Sequence, residues 1–172
     1  MHIQVDTREH LSEWERIKSQ FDSLGVSYFR SKLFVGDYCN LDNPRLVIDR
    51  KKDLTELCGN VCQQHERFKA ELQRAMLHGI KIIFLVEHGY DVETLEDVYF
   101  WENPRRKIYT VTNHNGIWTK GLKYPKATTG EQLYKALVSI EQRYGVRFEF
   151  CTKNCTGQRI VDLLKGGAGN GE

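Results

Sequence analysis

The stretch from Ile80 to Val86, IKIIFLV, is apolar at every position but Lys81 and rich in β-branched residues. A strand with one wet face alternates polar and apolar side chains; a run without alternation is covered on both faces. It is far too short for a membrane-spanning helix, which takes about 20 apolar residues. The run therefore predicts a central strand, and the rest of the chain must supply two covering layers. Helical spacing supplies them. Leu11, Trp14, Ile17, Phe21 and Leu24 recur at intervals of three and four and stop at Gly25. Leu54, Leu57, Val61, Phe68, Leu72 and Met76 do the same up to Gly79, with Gly59 marking a bend. Leu133, Leu137, Ile140 and Tyr144 follow a capping box read at Thr128 and Glu131 and end at Gly145; Thr156 to Lys165 forms a last helix. Short strands are expected at His2–Asp6, Val26–Arg30, Leu33–Val35, Leu46–Asp49 and Val146–Phe150. Strands alternating with amphipathic helices predict an α/β sandwich with a mixed sheet and helices on both faces. Residues 1–165 read as one domain, and 166–172 as a flexible glycine-rich tail.

The segment from about 90 to 127 does not fit this alternation and reads as an insertion. Asn113 to Gly116 forms a hairpin turn between Tyr109/Val111 and Ile117/Trp118. Charge singles out the same region. The chain carries a net charge of only +2, yet Asn103 to Gly130 contains no acid and six cations, so the remainder sums to −4. A basic block in a near-neutral chain is the pattern of a surface that meets a polyanion. Trp101, Trp118 and Tyr124 lie among these cations. They either stack on unpaired bases or pack the hairpin onto the sandwich.

The composition, 40% hydrophobic and 28% charged, is that of a soluble globular protein. The N-terminus lacks a basic region followed by a long apolar run, so it does not read as a secretory leader. Five cysteines are an odd number and suggest a reducing interior. Cys58/Cys62 and Cys151/Cys155 are each separated by three residues, a poor fit to a zinc knuckle, and read as packing residues.

One constellation carries chemistry. Gly36-Asp37 precedes a turn-rich stretch, and the strand after it closes on Asp49-Arg50-Lys51. Side chains two apart on a strand share a face, so Asp49 and Lys51 point the same way; if the two segments pair as a hairpin, Asp37 faces them. Two carboxylates and a lysine can hold a divalent ion and orient a water for phosphodiester hydrolysis. A solvated strand end reads the same in isolation.

The wider pattern adds to this. VDTRE (Val5–Glu9), VGDY (Val35–Tyr38) and VIDRKKDL (Val47–Leu54) occur in this order. Together they resemble the V-D-x-R-E, G-D-Y and E-R-K…D-L motifs of the XPF/Mus-type structure-specific endonuclease domain, a branch of the PD-(D/E)XK nucleases. HERFKAEL (His65–Leu72), KIIFLVE (Lys81–Glu87) and, more loosely, Leu133–Phe150 extend the resemblance over most of the chain outside the insertion. The resemblance implies a restriction-endonuclease-like fold and a metal-dependent endonuclease acting on branched or flapped DNA, in repair, recombination or phage DNA processing. It implies Asp37 and Asp49 as ligands of Mg²⁺ or Mn²⁺ and Lys51 beside the attacking water. Asp6 and Glu9 would lie at the edge of the catalytic site, and Arg8 and Arg50 would support the acids or hold phosphate. Lys52, Arg67, Arg105, Arg106, Lys107 and Lys120 complete the expected DNA contacts. It also implies a homodimer formed through the nuclease domain, here assigned to the last two helices. Larger relatives append a tandem helix-hairpin-helix module; here the basic insertion or a partner would take that role. The size resembles stand-alone versions of phage or bacteria, hence a cytoplasmic protein, or a nuclear one in a eukaryote. The chain departs from the family pattern twice: Asp49 stands where Glu is usual, and the acid expected four residues after Lys51 is Thr55, with Asp53 and Glu56 nearest. His65, on the stripe with Val61 and Phe68, is expected at the core edge. A non-catalytic DNA-binding subunit and a nuclease of RNA are the alternative readings.

Overall fold

The structure, a computed structural model, describes residues 1–89 and 91–166. Its core is a six-stranded sheet in the order β2-β1-β3-β4-β5-β8. The strands are β1 (His2–Val5), β2 (Ser27–Arg30), β3 (Tyr38–Asn40), β4 (Asn43–Lys51), β5 (Lys81–Glu87) and β8 (Arg147–Cys151). β1 runs parallel to β2, β4 to β5 and β5 to β8, whereas β3 is antiparallel to both β1 and β4, so the sheet is mixed. Helices α1 (Leu11–Ser23), α2 (Leu54–Cys62), α3 (His65–Leu77), α4 (Gly130–Tyr144) and α5 (Thr156–Gly166) cover it.

Strand periodicity sorts the core into two layers. Ile83 and Leu85 of β5 pack with Trp14, Ile17 and Phe21 of α1 and with Ile160 and Leu164 of α5. Their neighbours Ile82, Phe84 and Val86 pack with Leu57, Val61, Phe68 and Leu72 of α2 and α3 and with Leu133 and Leu137 of α4. The apolar run thus lies at the centre, buried on both faces. This is the α/β sandwich that the alternation of elements anticipates. No helix among the described residues is long and apolar enough to cross a membrane.

Local expectations differ from the structure in several places. Leu33–Val35 forms no strand. Its backbone is tied to the loop after β1 instead: the Leu33 N–H donates to Asp6 Oδ2 at 2.6 Å and the Leu33 carbonyl accepts from Arg8 at 3.1 Å. The strand that pairs with β1 and β4 is Tyr38–Asn40. The break between α2 and α3 falls after Cys62, not at Gly59; the Gly59 carbonyl accepts from both Gln63 and Gln64, which ends α2 there. The capping box is Thr129 with Gln132, one residue later than expected. Leu11 and Leu24 of the α1 stripe are exposed.

The insertion has two parts. Val92, Val98 and Trp101 are buried in the α2–α4 layer, around a 3-10 turn at Glu96–Phe100. Gly130 at the start of α4 permits this, since a Cβ there would lie 2.4 Å from the Trp101 carbonyl and 2.6 Å from that of Val98. A second 3-10 turn, Pro104–Lys107, leads into β6 (Tyr109–His114) and β7 (Ile117–Leu122). These form a separate two-stranded sheet. Asn115 and Gly116 both have positive φ, the signature of a type I′ turn. The expected glycine-rich tail begins at Gly166, the last residue of α5, and residues 167–172 lie outside those described.

Candidate active site

Topology brings the end of β1, the start of β3 and the ends of β4 and β5 to one edge of the sheet. Crevices beyond the carboxyl ends of parallel strands are where open α/β sheets place their ligands. A cleft of about 710 Å³ opens there. Glu9, Asp37, Asp49, Arg50 and Lys51 line it, with Arg8, Lys52 and Arg67 also on its walls.

Asp37 is set by the backbone. Its N–H donates to the Ile48 carbonyl and its own carbonyl accepts from the Asp6 N–H, both at 2.8 Å. Gly36 before it has φ +72°, and a Cβ there would meet the Ile48 carbonyl at 3.1 Å, so this close approach of two backbones requires glycine. The Asp37 carboxylate accepts the Arg50 N–H at 2.8 Å, which fixes it over β4.

The three residues that close β4 divide between the two faces of the sheet. Asp49 and Lys51 follow Val47 onto the α2–α3 side, where Lys51 Nζ lies 2.5 Å from Asp49 Oδ1 and 5.6 Å from the centre of the Phe84 ring. Arg50 follows Ile48 onto the α1–α5 side. It is 8% exposed and pairs with Glu9 Oε1 at 2.5 Å and Glu87 Oε2 at 3.3 Å. Glu87, fully screened from water, in turn pairs with Arg16 at 2.5 Å and accepts the Thr156 hydroxyl at 2.7 Å. Arg16 also bonds Glu13 at 2.8 Å. A charged residue with so little exposure survives only when paired and hydrogen-bonded. In the chain Glu9–Arg50–Glu87–Arg16–Glu13 every residue is paired and has a hydrogen bond, although the Arg50–Glu87 link itself is an ion pair without one, and the chain braces β4 against α1 and α5.

Electrostatics focus on Asp37. Burial pushes its carboxyl well above the usual carboxylate range; the charges of Asp49 and Glu9 push it further, against Lys51 and the Arg50 N–H. Burial works against the Lys51 ammonium, but Asp49 and Asp37 outweigh it and hold its pKa up at about 12. Glu71 of α3, also on the cleft wall, is raised by burial and by Asp49.

Asp6 sits apart from this group. It is fully buried, does not line the cleft, and accepts from the Arg8 backbone, the Arg8 guanidinium and the Leu33 N–H. Arg8 pairs with Asp6 rather than with Glu9. Asp53 is the N-cap of α2, accepting the Glu56 N–H at 2.7 Å, and does not line the cleft. His65 is exposed, not at the core edge. Arg105, Arg106, Lys107 and Lys120 lie on the insertion, outside the cleft lining. Lys107 is ion-paired with Glu102, and Arg106 donates to the Ala127 carbonyl. Nothing in the sequence alone singles out Glu71, Glu87 or Arg16. Glu71 is one of several charged residues in the His65–Leu77 helix, and Glu87 only ends an apolar run.

Asp37 and Asp49 fit a hard divalent cation such as Mg²⁺ or Mn²⁺. They are oxygen donors that repel each other, so a cation between them would relieve the repulsion on Asp37. Among the described residues no three His, Cys, Asp or Glu side chains converge as a closed cage. Mg²⁺ requires none, because it keeps several waters and takes one or two carboxylates.

No curated protein matches the sequence at a significant level. Solved structures share the fold, among them two of one protein. XPF from Aeropyrum pernix is 20% identical with a TM-score of 0.63, over 99% of this chain and 66% of that one. XPF from the same organism in complex with DNA is 19% identical with a TM-score of 0.62, over 97% of this chain and 64% of that one. The chain thus spans about two thirds of the length of each. The ERCC4 domain matches residues 5–162, a span that begins at the end of β1 and closes inside α5, and the protein is therefore a member of the ERCC4 domain family of nucleases.

Proposed function

We propose that this chain is a metal-dependent endonuclease that hydrolyses phosphodiester bonds in branched or flapped DNA. The observation that carries the reading is the β3–β4 hairpin, which gathers Asp37, Asp49 and the Lys51 ammonium at the cleft. Asp37 and Asp49 would hold Mg²⁺ or Mn²⁺. When bound, such an ion supplies Lewis acidity and a water of lowered pKa. Lys51, an ammonium with free N–H groups beyond its contact to Asp49, donates to the attacking water or to a non-bridging phosphate oxygen. Arg8, Lys52 and Arg67 on the cleft walls attract the flanking phosphates. Arg50, engaged by Glu9 and Glu87, keeps the strand in place rather than meeting phosphate.

The three intact reactive residues argue against a non-catalytic subunit. A polyanion as long as DNA suits both the cleft and the basic insertion, while RNA remains an arm of the test. Homodimerisation through this domain is part of the proposal, but the outer face of α5 presents polar Gln158, Asp162 and Lys165, so an apolar dimer surface would not lie there. The protein would act wherever its DNA is, in the cytoplasm of a bacterial or phage-infected cell or in a nucleus.

Labelled duplex, flap, fork and four-way-junction DNA, with matched RNA, incubated with and without Mg²⁺ or Mn²⁺, decide the matter. Metal-dependent cleavage of branched DNA is expected. Asp49→Asn and Lys51→Ala should each lower the single-turnover rate on the order of a hundredfold or more, the loss typical of removing a group that acts in the transition state. Equal cleavage by the variants, or none by the wild type in either metal, overturns the reading.

A further inference from the structure

We infer that one face of the β6–β7 hairpin binds unpaired nucleotides. Strands with one face packed hide it, but every residue of β6, and all of β7 but Leu122, is exposed. The two faces differ. The directly opposed pairs Tyr109–Leu122, Val111–Lys120 and Asn113–Trp118 share one side; Thr110–Gly121, Thr112–Thr119 and His114–Ile117 share the other. The first side is aromatic and cationic, and Lys120 Nζ lies 4.8 Å from the centre of the Tyr109 ring. The second is mostly small and hydroxylic, with the Thr112 and Thr119 hydroxyls 2.9 Å apart.

A large ring in water is unfavourable unless something covers it, and Trp118 is 70% and Tyr109 56% exposed. Charge selects the covering partner. The hairpin and its root carry no acid from Asn103 to Gly130, and Arg105 and Lys123 both lie over the Tyr124 ring, at 5.8 and 5.5 Å. Aromatic rings interleaved with cations match a single strand, whose bases stack while its phosphates meet the ammonium groups. A stacked duplex offers no base face to Trp118. Position supports the assignment: Trp101, just before the hairpin root, is buried in the same core layer as Leu57, Cys58 and Val61 of α2, and Asn60 of that helix lines the cleft. A strand crossing α2 would have its unpaired bases on the hairpin and its backbone at Asp37 and Asp49. The choice of DNA as the ligand rests on the proposed function; the binding face does not require cleavage.

Tryptophan fluorescence tests this without catalysis, because Trp14 and Trp101 are buried and only Trp118 is exposed. Wild-type protein in excess chelator is titrated with oligothymidylate and with a blunt duplex. Oligothymidylate should quench the emission. Trp118→Ala should abolish the quench and weaken single-strand binding on the order of tenfold, as loss of one stacked base predicts. Duplex binding should stay unchanged, as should single-strand binding by Thr110→Ala on the opposite face. Single-strand binding with no quench and no effect of Trp118→Ala overturns the inference. So does concentration-dependent self-association, seen by sedimentation, that Trp118→Ala removes while leaving DNA binding intact. A quench in a protein that cleaves nothing with either metal would sink the endonuclease reading and leave this one standing.

Discussion

At the scale of single residues, Asp6 and Asp49 part company although both lie in the motifs that suggested a site. Asp6 is held inside the fold, away from the cleft lining. Burial raises its carboxyl, but the hydrogen bonds from Arg8 and Leu33 prevail and hold it below the ordinary range. A depressed folded pKa contributes stability above the unfolded value, about 4, and that contribution is lost as pH falls through the folded value. Asp6→Asn should therefore lower the melting temperature at neutral pH and flatten the decline below pH 4, while the cleavage rate constant stays near wild type. A loss as large as that of Asp49→Asn would return Asp6 to the catalytic group. Glu87 should matter more for stability. Its loss leaves Arg50 and Arg16 without their shared partner, and Glu87→Ala should cost about 3 kcal/mol, the usual penalty for breaking a buried ion pair. A chemical denaturation midpoint unchanged from wild type would contradict this. Asp49 and Lys51 were legible in the sequence because a strand period of two is visible in three letters. The Arg50–Glu87–Arg16 bracing was not, since Arg16 and Glu87 are 71 residues apart and meet only through the fold.

At the scale of elements, helices announced themselves better than strands. The stripes of α1 and α3 are periodic over several turns, whereas β3 is three residues, Tyr-Cys-Asn, with no alternation to detect. Leu33–Val35 offered a more strand-like composition, but its backbone groups belong to Asp6 and Arg8. The capping box shows why boundaries slip by one residue: Thr128 has Glu131 three positions on and Thr129 has Gln132, and composition does not choose between them. Two substitutions test what the elements do. Asp53→Ala removes the α2 cap and should cost about 1 kcal/mol with cleavage retained. Gly36→Ala forces a side chain into positive φ against β4 and should cost about 1–3 kcal/mol while also lowering cleavage, because Asp37 follows it directly. Stability lost without any change in rate would show that Asp37 is placed by other contacts.

At the scale of the whole molecule, the sandwich and the hairpin are built separately. The six strands of the main sheet each bond to their neighbours in it, and among the described strands β6 and β7 bond only to each other. Replacing residues 109–122 with a short glycine linker should leave the melting temperature within a few degrees of wild type and remove the preference for unpaired DNA; a collapse in stability would show that the hairpin supports the core. The fold class was legible from the apolar run of β5 and its flanking helices. The independence of the hairpin was not, because its alternating residues resemble those of any half-buried strand pair until the neighbours are seen. At its root the Lys123 N–H donates to the Ile108 carbonyl at 2.8 Å, so the hairpin leaves and re-enters the domain at adjacent backbone positions. Such a root is a socket. Other two-stranded ribbons could be inserted between Ile108 and Lys123 without moving β3 or β4, so under the proposed function the choice of target and the act of cutting would vary independently.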